Sequence, residues 1–287
     1  MRVLFDVSAL HGAKLAALRA APIDRARDKG LVSFYHTPIF MNEILQGFGS
    51  HKMGAAWIAN LQFAIELRPS GYFLMSREIW RNELVRGRGV LAQTLLTKRP
   101  LQNFLTEMDR VIKTGDLSAA WNAAKPELDS DFAKKRAQRQ IGIEIRADIA
   151  KKLRAGAVRG KLSDVLLKRV LARDTIRWGN ELMDKVDETR AGALRSQWSQ
   201  NPDRYPFYRS FAEGIAYFGY YSGVLHSEAI DANSQPDFEQ LSFLNGADAI
   251  VSDDEKFMKR AFDDLWKPRG KALYSSTEFI SLIERLA

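Results

Sequence analysis

Each end of this 287-residue chain carries a short apolar run closed by carboxylates: Val3-Leu4-Phe5-Asp6 near the start, and Ala249-Ile250-Val251-Ser252-Asp253-Asp254 near the finish. A run of three or four apolar residues between polar ones reads as a strand buried on both faces, as in a parallel sheet. In open α/β sheets ligands gather at the carboxyl ends of the strands, so Asp6 and Asp254 are expected to project into one crevice. Carboxylates brought together there repel one another and lose hydration, and they stay ionised only when a cation holds them. The pattern points to a divalent metal site.

Composition narrows the metal. There is no cysteine, which removes disulfides, thiolate zinc sites and cysteine nucleophiles and suits a reducing compartment. The four histidines, His11, His36, His51 and His226, lack the short spacing of a zinc-binding helix. Oxygen ligands therefore dominate, which favours Mg²⁺ or Mn²⁺. Asp6 arrives too soon for the apolar core of a signal peptide. Phe211 to Leu225 falls short of the roughly 20 apolar residues of a membrane span, contains Glu213, and reads as a buried aromatic helix. A cytoplasmic location without membrane contact is expected.

The formal net charge of +8 is unevenly placed. From Asp131 to Arg177 fourteen Lys or Arg face five Asp or Glu, a balance of +9 that leaves the rest of the chain at −1. Ile141, Ile145, Ile149 and Leu153 recur every four residues, so one helical stripe can face a core. Lys134, Lys135, Arg136, Arg139, Lys151, Lys152 and Arg154 then spread over the other faces. Such a surface can track a phosphate backbone with salt-sensitive affinity, or can simply be a solvated helix.

The element pattern predicts strands at Arg2–Phe5, Leu31–Tyr35, Tyr72–Met75, Ala249–Val251 and near Lys271–Tyr274. Helices are expected around Lys14–Ala20, after Thr37-Pro38, after Pro206, over Pro236–Asn245 and over Thr277–Leu286. Thr37 suits an N-cap and Pro38 the first helical position. The expected fold class is α/β: a parallel sheet flanked by helices, built from residues 1–95 and 205–287, with a basic, mainly helical insertion over 96–204.

These pieces together resemble the PIN-domain nucleases. The resemblance rests on Asp6-Val7-Ser8 after the first strand, Glu43 on an early helix (Thr37-Pro-Ile-Phe-Met-Asn-Glu43), Asp237 opening a late helix, and Ala247-Asp-Ala-Ile-Val-Ser-Asp-Asp254. It covers roughly the first 80 and last 85 residues. PIN domains are commonly much shorter, so the central hundred or so residues look like an insertion or an enlarged helical subdomain relative to them.

Carried over, the resemblance makes Asp6, Glu43, Asp237 and Asp254 the acidic cluster that binds one or two Mg²⁺ or Mn²⁺ ions. A one-residue shift would put Asp253 in place of Asp254. Ser8 and Ser252 match hydroxyl positions that support the carboxylates, and Asp231 and Asn233 lie near enough in sequence to assist. Phosphodiester hydrolysis needs an activated water, neutralised phosphoryl oxygens and a stabilised leaving alkoxide, which metals held by carboxylates supply without a histidine base. The implied activity is endonucleolytic cleavage of RNA. The implied partners are RNA and, because many small PIN proteins are restrained toxins, an antitoxin; the aromatic helix after Pro206 is also a possible homodimer face.

Each acid has a plainer role available. Asp6 can cap the next turn, Glu43 can be a surface helix residue, Asp237 suits a first helical turn, and Asp253-Asp254 can cap the turn before Lys256-Phe257. Gly156-Ala-Val-Arg-Gly160-Lys161-Leu162 is not a nucleotide loop, since the glycines are four apart and Leu162 replaces the metal-binding hydroxyl. Arg86-Gly-Arg-Gly89 could track a phosphate backbone, but such a segment is more often a flexible turn after a helix. Among the aromatics after Pro206, Phe211, Ile215 and Phe218 fit a core stripe, leaving Tyr208 or Tyr220 as candidates for exposed base stacking. Two alternative functions stay open: a DNA flap-type nuclease, and a non-catalytic RNA-binding or interaction module of the same fold.

Overall fold

A computed structural model describes residues 1–49, 56–86, 93–123, 125–126, 161–186, 189–221 and 234–287. The basic residues Lys134, Lys135, Arg136, Arg139, Lys151, Lys152 and Arg154, together with Asp231 and Asn233, lie outside the described residues. The chain forms two compact units: residues 1–78, 90–118 and 239–287 make one, and residues 79–89 and 119–238 the other.

The first unit holds the expected parallel sheet. Its strands are β1 (Arg2–Phe5), β2 (Ser33–His36), β3 (Gly71–Tyr72), β4 (Ala249–Val251) and β5 (Ala272–Tyr274), ordered β3-β2-β1-β4-β5. Every pairing is parallel. β1 and β4 are buried along their apolar residues, as continuous apolar runs require when helices cover both faces. Phe5 pairs with Val251 across 246 positions of sequence. At the opposite end of that ladder Arg2 and Asp248 form an ion pair at 2.9 Å, and the Arg2 backbone N–H donates to Asp248 Oδ2 at 2.7 Å.

The helices of this unit include α1 (Ala13–Ala20), α2 (Ile23–Asp28), α3 (Pro38–Gln46) and α4 (Ala56–Glu66). Thr37 caps α3, its hydroxyl accepting the Phe40 N–H at 3.1 Å, with Pro38 in the first helical position. Next along the chain come α5 (Ser76–Arg86) and α6 (Lys98–Thr114); the division between units falls within α5. The core packs Phe5 against Phe34, Phe63 and Phe279, with ring centroids 5.5 to 6.0 Å apart. The third strand is shorter than its apolar run suggests, because the chain turns to the segment at 94–96: Leu74 N–H bonds to Thr94 O, and Leu96 N–H to Tyr72 O.

The second unit is helical where it is described, with α7 (Lys161–Val186), α8 (Ala191–Gln200) and α9 (Pro206–Tyr220). Tyr208 and Tyr220, expected as exposed stacking platforms, are both buried. The Tyr208 ring packs edge-on against Trp198 at 5.0 Å, and its hydroxyl donates to Gly179 O. A polar tip that finds a buried partner removes the reason for exposure. Glu83, also buried, accepts the Phe207 and Tyr208 N–H groups at 3.2 and 2.9 Å, so a carboxylate from α5 caps the start of α9. Among the described residues no helix is long and apolar enough to cross a membrane.

Close approach of α7 and α8 depends on Gly179, where an added Cβ would lie 2.3 Å from Trp198 Nε1. Gly179→Ala gains helix propensity of about 1 kcal/mol but overpacks a fully buried indole, a cost of about 1 to 3 kcal/mol or more. Net destabilisation is expected in urea melts, whereas Gly192→Ala on α8, with open space around its Cβ, should leave stability unchanged or higher.

Candidate active site

The chain runs outward from β1 to β2 and β3, then returns to place β4 and β5 on the other side of β1. The strand order therefore reverses between β1 and β4, and the carboxyl ends of these two strands flank the place where open α/β sheets form a ligand crevice. Asp6 follows β1 and Ser252 follows β4. The Asp6 N–H continues the ladder by donating to Val251 O at 2.9 Å.

Asp6 is buried, and every hydrogen bond to its carboxylate falls on one oxygen. Oδ2 accepts the Ser8 N–H at 3.2 Å, the Ser252 hydroxyl at 2.9 Å and the Ser8 hydroxyl. The serines are oriented in turn by backbone donors: Asp253 N–H reaches Ser8 Oγ at 2.9 Å, and Asp254 N–H reaches Ser252 Oγ at 3.1 Å. With their oxygens occupied as acceptors, both hydroxyl protons are free to point at Asp6. Among the described residues Oδ1 takes no hydrogen bond. Burial pushes the Asp6 carboxyl above its ordinary range, the serine bonds pull it back in part, and the charge of Asp254 adds to the rise.

Glu43 lies on α3, half-buried, near enough to Asp6 to feel its charge. Loss of hydration, reinforced by Asp6, lifts its carboxyl to about 8, and no hydrogen bond lowers it. Asp253 and Asp254 have separate employments. Asp253 Oδ1 accepts the Ser276 N–H at 3.0 Å at the start of α12 (Ser276–Leu286, the closing helix of the unit), and its Oδ2 lies 3.0 Å from Lys14 Nζ. Burial opposes the Asp253 charge, but the Ser276 and Lys14 bonds outweigh it and hold the carboxyl below the usual range. Asp254 Oδ1 accepts the Lys256 and Met258 N–H groups at 2.9 and 3.3 Å, so it caps the turn ahead of α11 (Phe257–Leu265) while its charge reaches Asp6.

Asp237 stands half-buried in the first turn of α10 (Ser234–Ser242), in the part of that helix assigned to the second unit. One turn on, in the first unit, is a residue that the acidic pattern does not reveal. Gln240 is buried; its Nε2 donates to Phe5 O at 2.9 Å and its Oε1 accepts the Thr37 hydroxyl. One amide thereby ties the end of β1, just before Asp6, to the cap of the helix that carries Glu43. Its sequence signal is slight: a neutral polar residue between Phe238 and Leu241.

The donor set is all oxygen: an Asp6 Oδ1 and a Glu43 carboxyl that take no hydrogen bond among the described residues, both held toward the protonated form. That suits a hard divalent ion. Among the described residues no group of three or more His, Asp or Glu side chains is assembled to hold a metal. The local fit is therefore a carboxylate pair, with Asp254 acting on it through charge.

Glu43 titrates near 8 in the fold against 4.5 as an ordinary carboxyl, so the native state holds an extra proton between those values. Its contribution to stability is fully present below pH 4.5 and is lost as pH rises through 8. Glu43→Gln should flatten that slope in denaturation curves taken from pH 5 to 9. A cation bound through Glu43 would have to release the same proton, so on that assignment Mn²⁺ affinity climbs by up to about tenfold per pH unit toward pH 8 and then levels. Calorimetry in buffers of different ionisation enthalpy reads the proton directly.

Comparison of the chain with protein-family models, with curated proteins and with solved structures yields no match.

Proposed function

We propose that this chain is a metal-dependent ribonuclease with a PIN-like catalytic unit. The reading is carried by one observation: at the reversal point of a parallel sheet, a buried Asp6 has one carboxylate oxygen saturated by two serines and the other left bare, beside the unbonded carboxylate of Glu43. A carboxylate kept only to cap a turn has no need of two oriented hydroxyls or of a second acid at its side. The cost of crowding them is met when a cation neutralises both.

In this reading Asp6 and Glu43 hold Mg²⁺ or Mn²⁺, with Asp254 adding negative potential. When bound, the ion contributes Lewis acidity and a more acidic water. The serines fix Asp6 so that Oδ1 keeps one orientation, as outer-shell partners do for metal ligands. Gln240 holds the strand end and the helix start at a constant separation. Asp253, engaged by Lys14 and Ser276, is the weaker candidate of the final pair. The basic segment that includes Lys134, Lys135, Arg136, Arg139, Lys151, Lys152 and Arg154 is the proposed surface for the RNA backbone.

Cleavage of a mixed single-stranded RNA pool by the wild-type protein and by Asp6→Asn, each with Mn²⁺ and with EDTA, tests the assignment. Cutting that needs Mn²⁺ and falls at least about a hundredfold in Asp6→Asn is expected, with Ser252→Ala lower by roughly tenfold. Equal cutting by Asp6→Asn would remove the site from catalysis. Preference for branched DNA would move the assignment to a flap-type nuclease, and Mn²⁺ binding without any cutting would leave a binding module.

A further inference from the structure

Lys14 enters the acidic site only as the partner of Asp253, yet its placement suits a second task. It lies in the first turn of α1, the helix that follows β1 and Asp6 in the first unit. Its Nζ is 3.0 Å from Asp253 Oδ2, and no other acid is paired with it among the described residues. Asp253 is tied to the site through its backbone: its N–H donates to Ser8 Oγ at 2.9 Å, and the Ser8 hydroxyl donates to Asp6 Oδ2. One aspartate and one serine therefore link the ammonium to the buried acid.

The two members of this ion pair are unequally exposed. The Lys14 side chain is 46% exposed and that of Asp253 12%, and Asp253 Oδ2 itself is shut off from solvent. By contrast Lys113 and Asp109, an ion pair along α6, are 71% and 61% exposed, so both partners move freely in water. Asp253 is anchored, because its Oδ1 accepts the Ser276 N–H at 3.0 Å at the start of α12. The result is an accessible cation in front of a fixed, covered anion. An ammonium has three N–H donors, and one carboxylate oxygen in this position takes one of them at most. At least two remain for an acceptor that arrives from solvent.

Charge decides what that acceptor is. A divalent ion held by Asp6 and Glu43 offsets those two acids and leaves the charge of Asp254, which reaches Asp6. A polyanion approaching this margin is repelled unless it meets a positive group of its own. Phosphodiester oxygens are strong acceptors, and a lysine serves them as a point charge. The covered Asp253 carboxylate fixes the ammonium without presenting its own oxygen to the phosphate, and a group fixed beforehand needs less ordering on binding. Stability alone gives a weak reason for the pair, since ion pairs with an exposed member contribute little to folding.

We propose that Lys14, positioned by Asp253, binds a backbone phosphate of the RNA next to the one that reaches Asp6 and Glu43. The identity of the polyanion rests on the ribonuclease reading, whereas the phosphate contact is read from binding and needs no cutting.

The test follows binding of a fluorescently labelled single-stranded RNA to the full chain in EDTA, by anisotropy, from about 50 to 200 mM salt. Lys14→Met should bind about three- to tenfold more weakly at the lower salt, and its slope of log affinity against log salt should be shallower by about 0.7, the share of one phosphate on a single strand. Lys14→Arg should keep the wild-type slope. Lys29→Met removes the same charge ahead of β2, at the opposite edge of the sheet, and should leave the slope unchanged. An unchanged slope in folded Lys14→Met, equal flattening by Lys29→Met, or no RNA binding at all would each overturn the contact. So would a much lower melting temperature in Lys14→Met, which would make the ion pair structural. Cleavage with Mn²⁺ separates the two readings. A shallower slope in Lys14→Met, without cutting by the wild type, keeps the contact and sinks the ribonuclease. Cutting that Asp6→Asn abolishes, with KM and salt slope unaltered in Lys14→Met, does the reverse.

Discussion

The pairing of β1 with β4 is the constraint on which the rest of this protein depends. It joins residues 246 positions apart, so the first strand is placed only when the last segment of the chain has arrived. Such a long-range parallel contact is entropically expensive to close, and it is secured at both ends. Arg2 and Asp248 bind each other through side chain and backbone at one end, while Ser8, Ser252 and Asp6 share a hydrogen-bonded cluster at the other. The second cluster is also the proposed catalytic support. Holding the sheet together and orienting Asp6 are thus one set of bonds.

That double use explains a local conflict. A buried carboxylate that feels the charge of other acids is unfavourable by the rules that govern a core, and the raised titration of Asp6 and Glu43, owed first to burial, expresses the tension. The Asp6 Oδ2 atom is compensated by the serines; Oδ1 and Glu43 are not. Glu83 in the second unit makes a useful contrast. It is also buried and its carboxyl is raised to about 7, but both of its hydrogen bonds go to the first N–H groups of α9, which defines a helix cap. Uncompensated oxygen is what distinguishes the candidate site from structural acid, and groups that break local rules tend to concentrate where function is.

Legibility from sequence follows the range of the interaction. The ends of β1 and β4 are readable because an apolar run followed by a polar residue is a local signal, and Thr37-Pro38 is readable because capping is decided within four residues. Parallel order is accessible through the same runs, since strands buried on both faces need helices on each side. The role of Gln240 is not local: its two partners, Phe5 O and Thr37 Oγ1, lie more than two hundred residues away. Tyr208 and Tyr220 look like exposed positions by helical period alone, but α9 packs on several sides, so one apolar stripe does not exhaust its buried surface. The division between Asp253 and Asp254 depends on Lys14 and Ser276, one near each end of the chain, and no spacing within the motif conveys it.

A parallel sheet brings every strand's carboxyl end to one edge, and that property assembles the candidate site. Asp6 closes β1, His36 closes β2, Tyr72 closes β3 and Ser252 closes β4. Four separate segments therefore contribute one polar side chain each to the same margin, without any of them being near the others in sequence. Helix α3 leaves β2 from this margin and carries Glu43, whose carboxyl feels the charge of Asp6. Thr37 sits at its root, capping the helix and bonding Gln240, which in turn holds Phe5 O. One chain of hydrogen bonds through Thr37 and Gln240 thus ties the helix that carries Glu43 to the end of the strand that precedes Asp6, and so sets the separation of the two acids.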